Sequence, residues 1–106
     1  MADHKKDELV RFLEERAFKP VLNAKPKGRS EAEQKKLDHV QKATRAEIER
    51  FHKYRSAQEV VTNFRRDLDS APAKRIHAEL RSLGLPTIND IREEFERHAE
   101  ELGVTG

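Results

Sequence analysis

Apolar residues recur every three or four positions along most of the chain, which is the spacing of one face of an α-helix. No stretch alternates apolar and polar residues for long enough to predict a β-strand. The pattern therefore predicts an all-α fold of about five helices, with orthogonal or bundle-like packing. The predicted helices span about residues 5–18, 31–54, 57–69, 72–83 and 88–102.

Three of these helices begin with serine signals. Ser30 and Glu33, like Ser56 and Glu59, have the spacing of a capping box, in which serine oxygen and glutamate carboxylate each accept a free backbone amide. Ser70 stands before a proline and is typical of a helix N-cap. Each start is thus predicted from the residues that would satisfy its unpaired amides.

Other residues predict where helices end. Pro20 is expected to end the first helix, because a proline in a helix interior lacks an amide hydrogen and clashes with the preceding turn. Residues 19–30 are then a basic linker inside a single helical domain covering 1–106. Gly84 is a natural left-handed terminator, and Asp90 is well placed near the positive end of the last helix.

The region 31–69 poses the question of one helix or two. At about 100° per residue, its apolar stripe rotates by roughly 130° partway along, more than one unbroken helix on one core would show. We therefore expect a break or sharp bend near Arg55 and Ser56. The first stripe contains Leu37, Val40, Thr44, Ile48 and Phe51, and the second contains Ala57, Val60, Val61, Phe64 and Leu68.

Composition excludes several classes of protein. The chain has 106 residues, 40% of them charged, and a net charge of +2. Zero cysteines exclude disulfides, thiolate nucleophiles and cysteine-bound zinc. No apolar run approaches the ~18 to 20 residues of a membrane span. A soluble cytoplasmic protein without a membrane partner is the expectation.

The small net charge conceals an uneven distribution. Opposite the apolar stripe of the second predicted helix lies a row of basic residues about 27 Å long. The linker can extend this row, which gives candidate polyanion-binding residues. We define the basic row as Lys35, His39, Lys42, Ala46, Arg50 and Lys53, extended by Lys25, Lys27 and Arg29.

The last helix carries the opposite charge. Residues 87–106 contain two arginines against six acids. The outward acids form a candidate interaction face that pairs with the basic row, within one molecule or between two copies, or is an ordinary solvated face. We define the acidic face as Asp90, Glu93, Glu96, Glu100 and Glu101.

Motifs for catalysis or metal binding are weak. Glu49 and His52 match the Glu-x-x-His pattern of di-iron bundles, but Glu49 points away from the apolar stripe and no second copy exists. The glycines are isolated, so no phosphate loop is predicted, and no catalytic residue, metal or cofactor is expected. His98, at the edge of the last apolar stripe, is expected to be a packed histidine or a pH-sensitive contact.

The sequence leaves three hypotheses for function. The first is a small non-enzymatic helical interaction protein, an adaptor or regulator that binds a protein partner through its charged faces. The alternative is a nucleic-acid-binding accessory protein that uses the basic row, because cations in a row neutralise phosphates. A third is a homo-oligomer formed through 31–68, where positions 37, 40, 44, 51 and 54 suit a heptad seam that Glu47 interrupts.

Overall fold

The computed structural model describes residues 4–104, and these contain helices and no strand. Residues 4–22 form the first of five helical rods, in which an α-helix, a π-helical turn and a short second α-helix follow one another without interruption. The predicted all-α fold is confirmed. The bounds are α1 (His4–Leu13), the π turn (Glu14–Phe18), α2 (Lys19–Leu22), α3 (Glu31–Lys53), α4 (Ala57–Leu68), α5 (Ala71–Ser82) and α6 (Arg92–Glu101).

The first rod continues through Pro20 to Leu22, so the predicted end near residue 18 is wrong. The preceding turn is wider than an α-turn, because the Lys19 amide donates to the Glu14 carbonyl, five residues back. In a regular α-helix, a proline ring clashes with the backbone carbonyl four residues back. The wider turn changes the hydrogen-bond spacing just before Pro20, so the helix can continue through the proline. The loop of the predicted linker therefore begins after Leu22, and residues 19–22 belong to α2.

The last helix begins at Arg92, four residues later than predicted. Thr87 and Asp90 explain the delay, since each binds the backbone of the other. The Thr87 amide donates to Asp90 Oδ2 at 3.0 Å, and the Asp90 amide donates to Thr87 Oγ1 at 3.2 Å. Asp90 therefore closes a turn two residues before α6, so it lies near the N-terminus of the last helix, as predicted, but outside the helix itself.

The serine caps are placed nearly as predicted. Ser30 and Glu33 form a complete capping box. Ser56 accepts the Glu59 amide at 3.2 Å, but the Glu59 carboxylate accepts the Arg55 amide at 2.6 Å, one residue before the predicted partner. The predicted break near Arg55 and Ser56 is confirmed, because α3 ends at Lys53 and α4 begins at Ala57.

Ser70 also caps as predicted, accepting the Ala73 amide at 3.2 Å with a proline in the first turn. Gly84 follows α5 with a φ of 74°, in the left-handed region where a side chain is strained. Local signals of this kind thus placed the boundaries of α3, α4 and α5 well.

Buried apolar side chains form two clusters. The large core joins α1, the π turn, the end of α3, α4 and α6, and its centre is the close Phe64–Phe95 pair, with ring centroids 4.0 Å apart. Burying one such ring contributes about 2 to 3 kcal/mol. The small core joins α2, the first half of α3 and α5, and consists of Val21, Leu37, Val40, Leu80 and Leu83.

α3 therefore contributes to both cores. Leu37 and Val40 lie in the small core and Phe51 in the large one, with Thr44 buried between them. These are residues of the predicted heptad seam, and self-association through that seam would require opening the protein's own cores. None of the helices in residues 4–104 is long and apolar enough to span a bilayer.

Candidate functional site at the junction of the two cores

The centre of the basic row is paired with acids of its own helix. Lys35 Nζ lies 3.9 Å from Glu31, and Lys42 Nζ lies 3.3 Å from Asp38, both across one helical turn. Such exposed pairs contribute little to stability, but each places a negative charge beside its lysine. The row is therefore less positive than its cations alone indicate.

Arg50 is turned away from the row toward α4. Its guanidinium donates to Glu47 Oε1 at 2.7 Å and forms a second, short ion pair with Asp67. His39, nearer the start of α3, lies 3.7 Å from a Glu79 carboxylate oxygen of α5. Two members of the predicted row thus face neighbouring helices.

The linker cations divide into two kinds. Arg29 is partly buried and donates to the Leu83 carbonyl at 3.2 Å, which fastens the loop to the end of α5. Lys25, Lys27 and the more distant Lys53 are exposed and form no ion pair within the described chain. These three lysines remain available to an external anion.

The acidic face is divided in the same way. Glu96 forms a two-fold pair with Arg65 of α4, at 2.7 and 2.5 Å, and these hydrogen bonds hold the pKa of its carboxyl below the usual range. Asp90 lies 3.8 Å from Arg81. The other members, Glu93, Glu100 and Glu101, are exposed and make no ion pair with any described residue.

The histidines singled out by sequence have structural surroundings. His98 is half-buried, its ring stacked on Phe12 with centroids 5.1 Å apart, as expected for a histidine at the core edge. His52 lies 2.6 Å from Glu14, and the nearby Glu49 is exposed. Within residues 4–104, no three histidine or acidic side chains are grouped closely enough to hold a metal ion.

A small cavity lies where the two cores meet. Its volume is about 30 Å³, enough for one or two water molecules. Most of its wall is apolar, but four polar residues also line it. These are Thr44 and Glu47 of α3, His77 of α5 and Thr87 of the turn before α6.

The π turn forms the opposite wall of this cavity. An extra residue in one turn rotates the helix face, so the adjacent Ala17 and Phe18 are both buried, and both line the cavity. π turns are frequent at functional sites. The π turn was not predictable from the sequence, because helical periodicity over a few residues does not distinguish an inserted position.

His77 is the buried histidine that sequence reasoning missed. It is 8% exposed, and no hydrogen bond to its ring is formed within residues 4–104. Burial, reinforced by the positive charge of Arg81, lowers the pKa of its imidazole, so the ring is neutral at pH 7. A signal was available, since His77 follows Ala73 and precedes Leu80 at helical spacing, on the predicted buried face.

A groove on the outer side of the junction shares part of the cavity wall. It lies between α3 and α5, has a volume of about 270 Å³, and shares Ala43, Glu47, Ile76 and His77 with the cavity. At one end of the groove, the Glu47 and Asp67 carboxylates both bind the Arg50 guanidinium.

Glu47 is the acid most affected by its position in the groove. Burial raises the pKa of its carboxyl, and the negative charge of Asp67 also raises it, whereas the positive charge of Arg50 lowers it. The Tyr54 hydroxyl lies near Arg50 and Asp67, and it is buried without a hydrogen-bond partner within residues 4–104. We call the cavity and the groove together the junction site.

The fold and the junction site define a compact all-α protein with a mainly apolar pocket, lined also by four polar side chains, between two cores. Comparison with protein-family models, with curated proteins and with solved structures finds no match for this chain.

Proposed function

We propose that this chain is a small, non-enzymatic helical interaction protein that binds a basic surface of a protein partner through α6. The observation that carries the proposal is that three acids of the acidic face have no ion pair with any other described residue. Glu93, Glu100 and Glu101 remain exposed and without an ion pair in the described chain, whereas the centre of the basic row is matched by its own acids.

Unpaired surface carboxylates act mainly on partner choice and association rate. Charge complementarity steers a basic partner toward the face and disfavours acidic ones, and its effect falls as salt screens it. The Glu96–Arg65 pair fastens α6 to α4, so the three acids are presented on a fixed helix. A preformed surface of this kind loses little conformational entropy on binding.

The test is a quantitative affinity purification from the cells that make the protein, followed by binding of the purified candidate. The informative variant replaces Glu93, Glu100 and Glu101 by glutamine. The matched control removes three exposed acids that likewise have no ion pair within residues 4–104, by Glu15→Gln, Glu49→Gln and Asp69→Asn. We expect a partner that binds wild type and control equally and the α6 variant roughly tenfold more weakly, with the difference vanishing at high salt. Equal binding to all three proteins, or no partner, contradicts the proposal.

Nucleic-acid binding is the second candidate, favoured by the exposed, unpaired Lys25, Lys27 and Lys53. Anisotropy titrations with labelled duplex and single-stranded DNA and RNA at ~50 and ~200 mM salt distinguish the two functions. Three phosphate contacts, one from each of these lysines, would give a log–log salt slope of about −3 on duplex DNA. Replacing Lys25, Lys27 and Lys53 by glutamate should then abolish binding, while no binding at low salt excludes this candidate.

A further inference from the structure

The groove of the junction site has walls of small apolar residues. Ala43 and Ala46 on α3 face Ala73 and Ile76 on α5, which leaves an open channel where larger side chains would have met. Its volume of about 270 Å³ is just below the range usual for ligand pockets. It suits an aliphatic group of a few carbon atoms.

The charged end of the groove has one more acid than base. Glu47 and Asp67 both bind Arg50, so one negative charge is left over when both carboxyls are ionised. Their side chains are only 26% and 14% exposed, so water compensates this charge incompletely. A bound cation would complete the pairing.

The hydrogen-bonding groups of this end are mainly acceptors. The guanidinium of Arg50 is the strong donor there, and its Nη2 already donates to both carboxylates. His77 is nine-tenths buried, has no partner in the described chain, and as a neutral imidazole has one nitrogen lone pair to offer. Such a site favours a ligand that donates several hydrogen bonds.

We infer that the junction site binds a small aliphatic amine as its ammonium ion. The ammonium group pairs with Glu47 and Asp67 and has His77 within the same lining, while the alkyl chain lies along Ala43, Ala46 and Ile76. A primary ammonium supplies three donors and one positive charge on a short apolar stem, which matches the groove in both respects. This binding is independent of the acidic face of α6.

The test is an NMR titration of the ¹⁵N-labelled full chain with n-butylammonium chloride in phosphate buffer at constant ionic strength. We expect saturable shifts of the amides of Ala43, Ala46, Ile76 and His77, with a dissociation constant of about 1 mM or below. Butan-1-ol, the neutral analogue of similar shape, should bind at least tenfold more weakly. Equal binding of the alcohol, or shifts that do not saturate, overturns the inference.

Two variants assign the charge that is recognised. Glu47→Gln and Asp67→Asn keep the shape of each side chain and should each weaken butylammonium binding at least tenfold. Asp38→Asn removes a carboxylate of the same helix that is also paired with one cation, and should leave binding unchanged. The spectra report folding of every variant directly. Binding that survives Glu47→Gln, or binding only of a lysine-containing peptide, contradicts a free amine as the occupant.

Discussion

His77 and Glu47 line both the cavity and the groove of the junction site. Burial favours the neutral form of each side chain, so it lowers the pKa of His77 and raises the pKa of Glu47. A histidine pKa goes down and a glutamate pKa goes up for the same reason, since both charged forms lose hydration. The two side chains therefore have opposite consequences for stability as pH changes. Neither consequence depends on a ligand.

The first prediction concerns His77. Its folded pKa is below the ordinary value of 6.5, so below that pH protons bind the unfolded chain preferentially and stability falls. The charged groups that face it are Arg81, which lowers the pKa, and Asp90, which raises it, with Glu47 in the same lining. We expect His77→Gln to reduce the loss of stability below pH 6.5, by at most about 1 kcal/mol between pH 6.5 and 5.5, as measured by urea unfolding at each pH. Parallel curves for wild type and variant would contradict this.

The second prediction compares the same substitution at two glutamates. The pKa of Glu47 is raised above 4.5, so its ionised form at pH 7 costs stability, and Glu47→Gln should leave the free energy of unfolding unchanged or raise it by up to about 1 kcal/mol. The pKa of Glu96 is lowered, so its ionised form stabilises the fold above pH 4.5. Glu96→Gln should therefore cost roughly 0.5 to 1 kcal/mol. Chemical denaturation at pH 7 checks both, and changes of the same sign would show that burial does not set the difference.

Much of the residue-scale chemistry was predictable. Serine caps depend on contacts within four residues, so Ser30 and Ser70 could be identified from spacing alone. The partner of Arg50 could not, because Asp67 lies on another helix and nothing local selects it. The same limit explains why Arg29 was named as a candidate polyanion-binding residue, although its side chain is bound to the Leu83 carbonyl.

At the scale of the elements, errors lie where side chains or irregular turns override periodicity. The Thr87 and Asp90 pair delays α6, and the π turn carries the first rod through Pro20. In both regions, a residue that usually marks a helix boundary takes a different role: Asp90 closes a turn before the helix, and Pro20 lies inside a continuous helical rod. The interiors of α3 and α4 followed the predicted stripes, since each buries one continuous face.

The third prediction concerns the terminator of α5. Gly84 has a φ of 74° and no atom within 4 Å of the position a Cβ would take, so strain and not crowding opposes a side chain. Gly84→Ala should cost about 1 kcal/mol. Gly28→Ala, at a φ of 83° with equally open surroundings in an exposed loop, is the matched control for the strain alone. Thermal unfolding should show a lower midpoint for both variants than for wild type. An unchanged midpoint in both would show that backbone strain at these positions does not oppose a side chain.

At the scale of the whole molecule, the division into two cores was not predictable. Helical stripes identify which residues are buried, but they do not state which helix covers which. The junction site follows from that arrangement, because its polar residues come from α3, α5 and the turn before α6. The sequence therefore predicts most of the core and little of the site.

The fourth prediction follows from the unequal cores. The small core contains no aromatic side chain among the described residues, whereas the large core contains Phe18, Phe51, Phe64 and Phe95. Amides of α5 should therefore exchange with solvent at least tenfold faster than those of α4, as measured by hydrogen exchange. Leu80→Ala should speed exchange in α5 and leave α4 unchanged. Identical exchange rates in the two helices would show that the cores open as one unit.

The topology of the large core also bears on how the chain is made. Leu13 of α1 is buried with Phe64 and Phe95, which follow it by about 50 and 80 residues, so the core depends on contacts that are distant in sequence. At a synthesis rate of about 5 to 20 residues per second, the first helix waits roughly 4 to 16 s before α6 has been translated. During that interval α4 can cover part of its apolar face, but the part that packs on α6 has no native cover. The speed of translation thus sets how long a nascent chain of this protein must be protected from aggregation.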